Sequence, residues 1–306
     1  MDPLSALLGG IRAEGSVVTH AVLEAPWTIR FADRAPLTMV TVLLGGGTLL
    51  LADGSRIPVR PGDSAIVRGP EPFLLADHPE SVDRPHEEYE IACFLDGARD
   101  LRQLRGIHRA AGEAGASFLI VGAYRAAGRR HERLLRTLPP ALVVGDDPEV
   151  CGWLEATAID AAEQPAGAQA LMDRLLDWGL VCTLRSWFAR AGAAAPGWYR
   201  GLADPVVGPA LEAIHNRPAR PWTVAALAAE AGVSRALFAK RFGEVMGEPP
   251  LRYLTEYRMD EAEELLADSE LTVAQVARTV GYADPFGFSA AFKRYRGVSP
   301  SAFRTA

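Results

Sequence analysis

No stretch of this 306-residue sequence approaches the roughly 20 consecutive apolar residues that a membrane helix needs. Its opening, MDPLSALLGGIRAEG, lacks the basic region and apolar core of a secretory signal. A cytoplasmic chain with no membrane partner is expected. Cysteine is scarce: Cys93, Cys151 and Cys182 are odd in number and show no C-x-x-C spacing, which argues against a disulfide framework or a zinc ribbon. The six histidines, His20, His78, His86, His108, His131 and His215, never stand in H-x-H or H-E-x-x-H spacing. Nor is there a G-x-S-x-G, a P-loop or a G-x-G-x-x-G after a strand, and Gly45-Gly46-Gly47 falls between expected strands, where it reads as a turn. Catalytic residues, metal and cofactor are therefore not expected. The one His/acid-rich stretch, His78 and His86 with Asp83, Glu87 and Glu88, is read as a solvated loop in preference to a metal site.

An excess of positive charge is missing as well. The net charge of −6 argues against indiscriminate adhesion to nucleic acid. Of 32 basic and 38 acidic side chains, 12 and 12 fall after residue 204, leaving 20 and 26 before it, so the acid excess lies wholly in the first two thirds. Two acid-free basic patches stand in the neutral last third: Arg235, Lys240 and Arg241 within 234–242, and Lys293, Arg294, Arg296 and Arg304 within 293–304. Both are suited to phosphates. Hydrophobic residues make up 49% of the chain, enough for the cores of two domains and too many for a disordered or collagen-like polymer.

From Ser16 to about Leu95 seven short apolar runs, SVVTHAVL, WTIRFA, LTMVTVLL, TLLLA, SAIVR, PFLLA and YEIACFL, are separated by Gly, Pro and Asp, the pattern of an antiparallel sandwich or barrel. Ala52-Asp53-Gly54-Ser55 reads as a hairpin and Arg60-Pro61-Gly62-Asp63 as a second turn. One more strand is expected at Ser117 to Tyr124. Between Ala166 and Ala195, free of proline, Leu171, Leu175, Trp178, Cys182 and Leu184 to Trp187 recur near helical period. Such a helix packs either on its own barrel or on a second copy. Gly192 to Gly197, GAAAPG, reads as a hinge.

The last hundred residues hold an internal repeat. Val224, Leu227, Ala228 and Ala231 sit at i, i+3, i+4 and i+7, and Val273, Val276, Ala277 and Val280 repeat the pattern 49 positions later. Thr223 and Thr272 precede the two sets as expected N-caps or phosphate contacts, Thr272 forming a capping box with Gln275. Gly232 and Gly281 close the sets, and helices carrying Phe238/Phe242 and Phe288/Phe292 on a buried face follow. Two helix-turn-helix units are implied. Pro249 and Pro250 begin a connecting helix of about 16 residues, roughly 24 Å long.

These residues resemble the AraC/XylS family of transcriptional regulators over about Val206 to Arg304. The most specific stretch is Val276-Ala277-Arg278-Thr279-Val280-Gly281-Tyr282, followed by Phe286, Phe288, Ala291-Phe292-Lys293-Arg294, Gly297-Val298-Ser299-Pro300 and Phe303-Arg304. The resemblance implies that the two units enter successive major-groove segments of double-stranded DNA, with RNA polymerase as a further candidate partner. The front, through Asp2-Pro3-Leu4, Pro26-Trp27, Arg60-Pro61-Gly62-Asp63 and Leu138-Pro139-Pro140, is more loosely similar to the cupin-type sensor of one AraC subgroup. Metal cupins carry a histidine-rich first motif, whereas Met39 to Gly47 has no histidine and Phe73 stands where one is usual in the second. A metal-free pocket for an unidentified small-molecule effector is therefore implied, with Trp27 and Phe73 either lining it or filling the barrel.

Carried onto this sequence, the family's base-facing positions in the first unit are Ala236, Ala239 and Lys240, with Arg235 and Arg241 beside them. In the second they are Pro285, Phe286, Ser289 and Ala290, none able to make a bidentate hydrogen bond, with Lys293 and Arg294 as backbone anchors. The expected fold is α+β. A cupin-like sensor and dimerisation barrel followed by helices spans 1–190, a linker 191–204, and an all-α double helix-turn-helix domain 205–306. The expected function is ligand-modulated promoter recognition by a homodimer. A metal-dependent cupin enzyme fused to a helical domain, a cysteine-based redox regulator and a non-enzymatic architectural DNA protein are the alternatives.

Overall fold

The computed structural model describes residues 4, 8, 11–13, 21–32, 34–83, 88–91, 116–125, 129–145, 166–268 and 270–304. The chain divides into two compact units, one of residues 10–127 with 131–190 and the other chiefly of residues 191–306.

The front unit contains β1 Arg12–Ala13, β2 Ala21–Glu24, β3 Thr28–Phe31, β4 Leu37–Leu44, β5 Gly47–Leu50, β6 Arg56–Val59, β7 Ser64–Arg68, β8 Phe73–Ala76, β9 Glu88–Ile91, β10 Ala116–Arg125 and β11 Ala141–Val144. One sheet has the order β1-β10-β4-β7-β11, with β2 also on β10, and the other the order β6-β5-β8-β3-β9. All pairings are antiparallel except β3 with β9. Period-two alternation sends Val40, Val42, Leu119 and Val121 of the first sheet against Ile29, Phe31, Leu49, Phe73 and Leu75 of the second, with Trp27, just ahead of β3, in the same core. The expected hairpin closes through Gly54 at φ 84° and a Leu51 N–H bond to Ser55 O. At the second turn the Arg60 N–H donates to the Asp63 carboxylate.

Strands β1, β6 and β11 were not expected from the sequence. Pro58 makes Arg56–Val59 a poor strand on propensity, yet β6 is the edge of its sheet, where a missing N–H costs nothing. The expected strand YEIACFL is described only through Ile91, and Ala92, Cys93 and the rest lie outside the described residues, as do Ser16 to His20 of SVVTHAVL.

Two helices complete this unit, α1 Arg129–Thr137 and α2 Ala168–Ala191. The outer face of the first sheet is covered by α2. Tyr124 Oη donates to Leu176 O at 2.7 Å, and a Cβ on Gly122 would come within 2.9 Å of the Leu176 side chain, so glycine sets the distance of approach. Burial, assisted by Asp177, pushes the Tyr124 phenol well up. The face of α2 that packs follows the expected stripe only at Leu184: Met172, Leu176, Leu180, Leu184 and Phe188 are buried, whereas Leu171 and Trp178 remain 41% and 40% exposed and Leu175 and Cys182 half-buried. The helix is apolar on two faces, and period alone could not say which one meets the barrel.

The second unit is helical: α3 Gly197–Ala203, α4 Gly208–Asn216, α5 Val224–Glu230, α6 Arg235–Met246, α7 Pro250–Asp268, α8 Val273–Thr279, α9 Pro285–Arg296 and α10 Pro300–Arg304. Within the stretch read as linker, α3 is ordered helix: Gly201 is buried against Leu211, Met246 and Val207. The connecting helix α7 has 19 residues, about 28 Å at 1.5 Å each, longer than expected. Its first half gives Tyr253, Leu254 and Tyr257 to a core with Leu211, Trp222, Phe238 and Phe242, and its second half gives Met259, Ala262 and Leu266 to a core with Val276, Val280, Phe288 and Phe292. The phenylalanine pairs are wholly buried, as expected. Between the two cores Arg258 donates to Pro218 O and Arg220 O at 2.8 Å and lies 5.9 Å from the Tyr282 ring. Gly281, at φ 87°, closes α8 where a Cβ would strike Ala219 O.

Candidate nucleic-acid interface

Each helix-turn-helix unit is built by local capping. Thr223 Oγ1 accepts from Ala226 N, and Thr272 Oγ1 from Gln275 N, while the Gln275 side chain accepts from Thr272 N. Gly232 at φ 66° and Gly281 then turn the chain, and Ser234 and Asp284 cap the second helices. Asp284 accepts from Phe286 N at 3.1 Å and Gly287 N at 2.8 Å. That cap is legible in the sequence, since Asp-Pro ahead of a helix is a recognised start signal.

On α6, burial of Phe238, Phe242 and Val245 leaves Arg235, Ala236, Leu237, Ala239, Lys240 and Arg241 exposed. Leu237, which the sequence reading did not single out, is 51% exposed. Lys240 Nζ lies 3.9 Å from Glu244, a solvent-exposed pair of little strength. Arg241 is differently placed. Its Nε and Nη2 donate to Asp204 Oδ2 at 2.9 and 2.6 Å, while Asp204 Oδ1 accepts from Val206 N and Val207 N. Burial pushes the Asp204 carboxyl up, but the two amides and the guanidinium outweigh it and hold the group below the ordinary carboxylate range. The same pairing raises Arg241.

On α9, Phe288, Ala291 and Phe292 are buried, and Phe286, Ala290, Lys293 and Arg294 are exposed. Phe286 is 86% exposed, the most of any large apolar side chain among the described residues. Pro285 and Ser289 are half-buried, and Ser289 Oγ donates back to Pro285 O at 2.8 Å. Arg296 turns away toward Glu263 and the Phe303 ring. The chain has two lysines, Lys240 and Lys293, one on each second helix. That rarity is itself legible in the sequence.

In the front unit, Trp27 and Phe73 lie in the packed interior: Trp27 Nε1 donates to Ser117 Oγ, and Phe73 stacks on Phe31 at 4.3 Å and 6°. The core there is apolar, and no three His, Cys, Asp or Glu side chains come together among the described residues. His78 is exposed; His86 and Glu87 lie outside the described residues, as does Cys151, and Cys182 is half-buried. No described helix is long and apolar enough to cross a membrane.

Comparison with known proteins gives two matching family models, one for a cupin over residues 2–189 and one for a helix-turn-helix domain over residues 227–306. A protein described as an AraC-like transcription regulator in Streptomyces lividans is 35% identical, the alignment covering 99% of this chain and 98% of the relative. The transcriptional regulator AlkR of Acinetobacter baylyi is 26% identical over 99% of both chains. Among solved structures, the DNA-binding domain of AdpA in complex with a target DNA matches 34% of this chain and 92% of its own at 32% identity and a TM-score of 0.32.

Proposed function

The chain belongs to the AraC-type transcriptional regulators with a cupin front domain, and from that membership we propose that it recognises promoter DNA through α6 and α9 under control of a small molecule held by the front unit. The observation that carries the reading is the exposed, basic outer face of the two second helices, where Arg235 and Lys240 stand on one and Lys293 and Arg294 on the other. Lys240 reads a base, and Arg235 a base or phosphate. Lys293 and Arg294 anchor the backbone together with the helix start near Thr272, positioning the protein without reading sequence. Arg241, joined to Asp204, serves α6 by holding it in place. Lys240→Ala is expected to weaken a preferred site about tenfold with little change on random duplex. Lys293→Ala and Arg294→Ala weaken binding to all duplexes and flatten the log affinity versus log salt slope by about one unit each. Gel shifts at several salt concentrations measure both; Lys240→Ala with unchanged affinity and preference would overturn the assignment of the reading helix.

A homodimer supplies the second half of the contacts. Its support is the outward stripe of α2, Leu171, Leu175, Trp178 and Cys182, spaced four, three and four residues apart as in a helix-helix seam. Two linked copies gain affinity through effective concentration. Light scattering at micromolar concentration should give twice the chain mass, with and without DNA, and a monomer in both would reject it.

The effector is an uncharged organic molecule. Support comes from the apolar interior around Trp27, Phe31 and Phe73. Phe73→Ala should leave basal DNA binding near normal and abolish the ligand response, because occupancy shifts the DNA equilibrium only through differential affinity for two states. Unfolding of the front unit by that change, seen by loss of its near-ultraviolet dichroism, would assign Phe73 to packing alone.

A further inference from the structure

The most exposed large apolar side chains among the described residues, Phe286 and Leu237, both stand in the first turns of the two second helices. Covering an exposed ring or leucine is favourable, so both side chains offer apolar surface that a partner gains by burying. The hydrogen-bonding groups around them are largely committed. The Arg241 guanidinium is held by Asp204, the Asp284 carboxylate by the amides of Phe286 and Gly287, and the Ser289 hydroxyl proton by Pro285 O. What the first two turns of α9 offer outward is Phe286, Gly287 and Ala290; what α6 offers is Ala236, Leu237 and Ala239, beside Arg235 and Lys240. A major groove presents one apolar group to such a surface, the thymine 5-methyl. Basic side chains, Lys240 on one helix and Lys293 and Arg294 on the other, flank the apolar patches and fit the phosphates on either side.

Resting on the DNA-binding reading above, we propose that Phe286 and Leu237 are specificity-determining residues that cover thymine methyl groups, so that the operator is chosen by 5-methylpyrimidine edges more than by hydrogen bonds to purines. The two units need not read alike. Superposing the buried phenylalanines pairs Ala236 with Phe286, a small contact in one groove segment against a large one in the next. The second unit, which lacks any bidentate donor in its first two turns, then contributes selectivity through shape and apolar contact as well as anchoring.

The test uses the full chain and duplexes that it enriches from a random pool. The winning duplex is made twice, with thymine and with deoxyuridine, which removes the methyls and keeps the hydrogen-bonding edge. Parental protein should prefer the thymine form by about fourfold for each methyl covered. Phe286→Ala should lose that preference in the second-unit half of the site and Leu237→Ala in the first. Both changes are at exposed positions, and unchanged circular dichroism verifies folding. A thymine-to-uridine ratio of one for the parent, or an undiminished ratio in both variants, overturns the inference while enrichment itself leaves the DNA-binding reading standing. Failure to enrich any duplex overturns both.

Discussion

Phe242→Ala and Phe292→Ala are each expected to lower the stability of the helical unit by about 3–5 kcal/mol, and to do so in different halves of it. Each ring is wholly buried. Phe242 packs on Phe238 and Tyr253 at ring-centroid distances of 5.5 and 5.9 Å, Phe292 on Phe288 and Phe303 at 5.8 and 5.7 Å. No buried residue belongs to both cores, which share only α7. Hydrogen exchange followed by mass spectrometry should therefore show amides of 208–246 losing protection in Phe242→Ala, and those of 273–304 in Phe292→Ala. Either loss removes one of the two helices proposed to read DNA, and on that proposal affinity falls steeply in both. Equal loss of protection across both halves in each variant would mean that Arg258 and the Gly281 contact with Ala219 fuse the cores into one cooperative unit.

The repeat was legible because it is written in local chemistry. A threonine that caps, a glycine that adopts positive φ and an i, i+4 phenylalanine pair each act within one turn of helix, and all of them recur at both units. The parts that were not legible depend on tertiary neighbours. Pro58 is harmless only because β6 is an edge strand, which the sequence of Arg56–Val59 cannot declare. The faces of α2 are both apolar, and Leu176, the residue that packs, meets Gly122 on the sheet opposite, a neighbour the helix's own period does not reveal. At the candidate interface the exposed residues follow from helical period, and so the positions of Lys240, Lys293 and Phe286 were within reach. Arg241 belongs with them by period, but its Asp204 partner lies 37 residues earlier, in a stretch read as linker. Charge pairing over that separation has no signature in a single chain.

Asp204→Ala tests the role this pairing gives to Arg241. The carboxylate makes two bonds to the amides of the turn before α4 and two to the guanidinium on α6, and Gly197 of α3 sits so close to the Val245 backbone that a Cβ there would come within 2.3 Å of its carbonyl oxygen. Loss of a turn-capping carboxylate together with a charge-assisted contact predicts destabilisation by about 2–4 kcal/mol, concentrated at 197–216 and the α6 helix. The pH dependence has a definite sign. Because the folded carboxyl is held below its unfolded value near 4, its contribution is complete above that ordinary value and is lost as pH falls through the lower folded value. Urea unfolding of the parent between about pH 5 and pH 2 should thus include a declining limb that Asp204→Ala lacks, the two curves converging toward the acid end. Above pH 5 the difference between them should be constant. DNA affinity supplies the second readout: if Arg241 only positions α6, Arg241→Ala should reproduce the loss of affinity of Asp204→Ala and leave the salt slope unchanged. A slope flattened by about one unit in Arg241→Ala, with Asp204→Ala unaffected or tighter, would instead make Arg241 a phosphate contact that Asp204 holds back in the free protein.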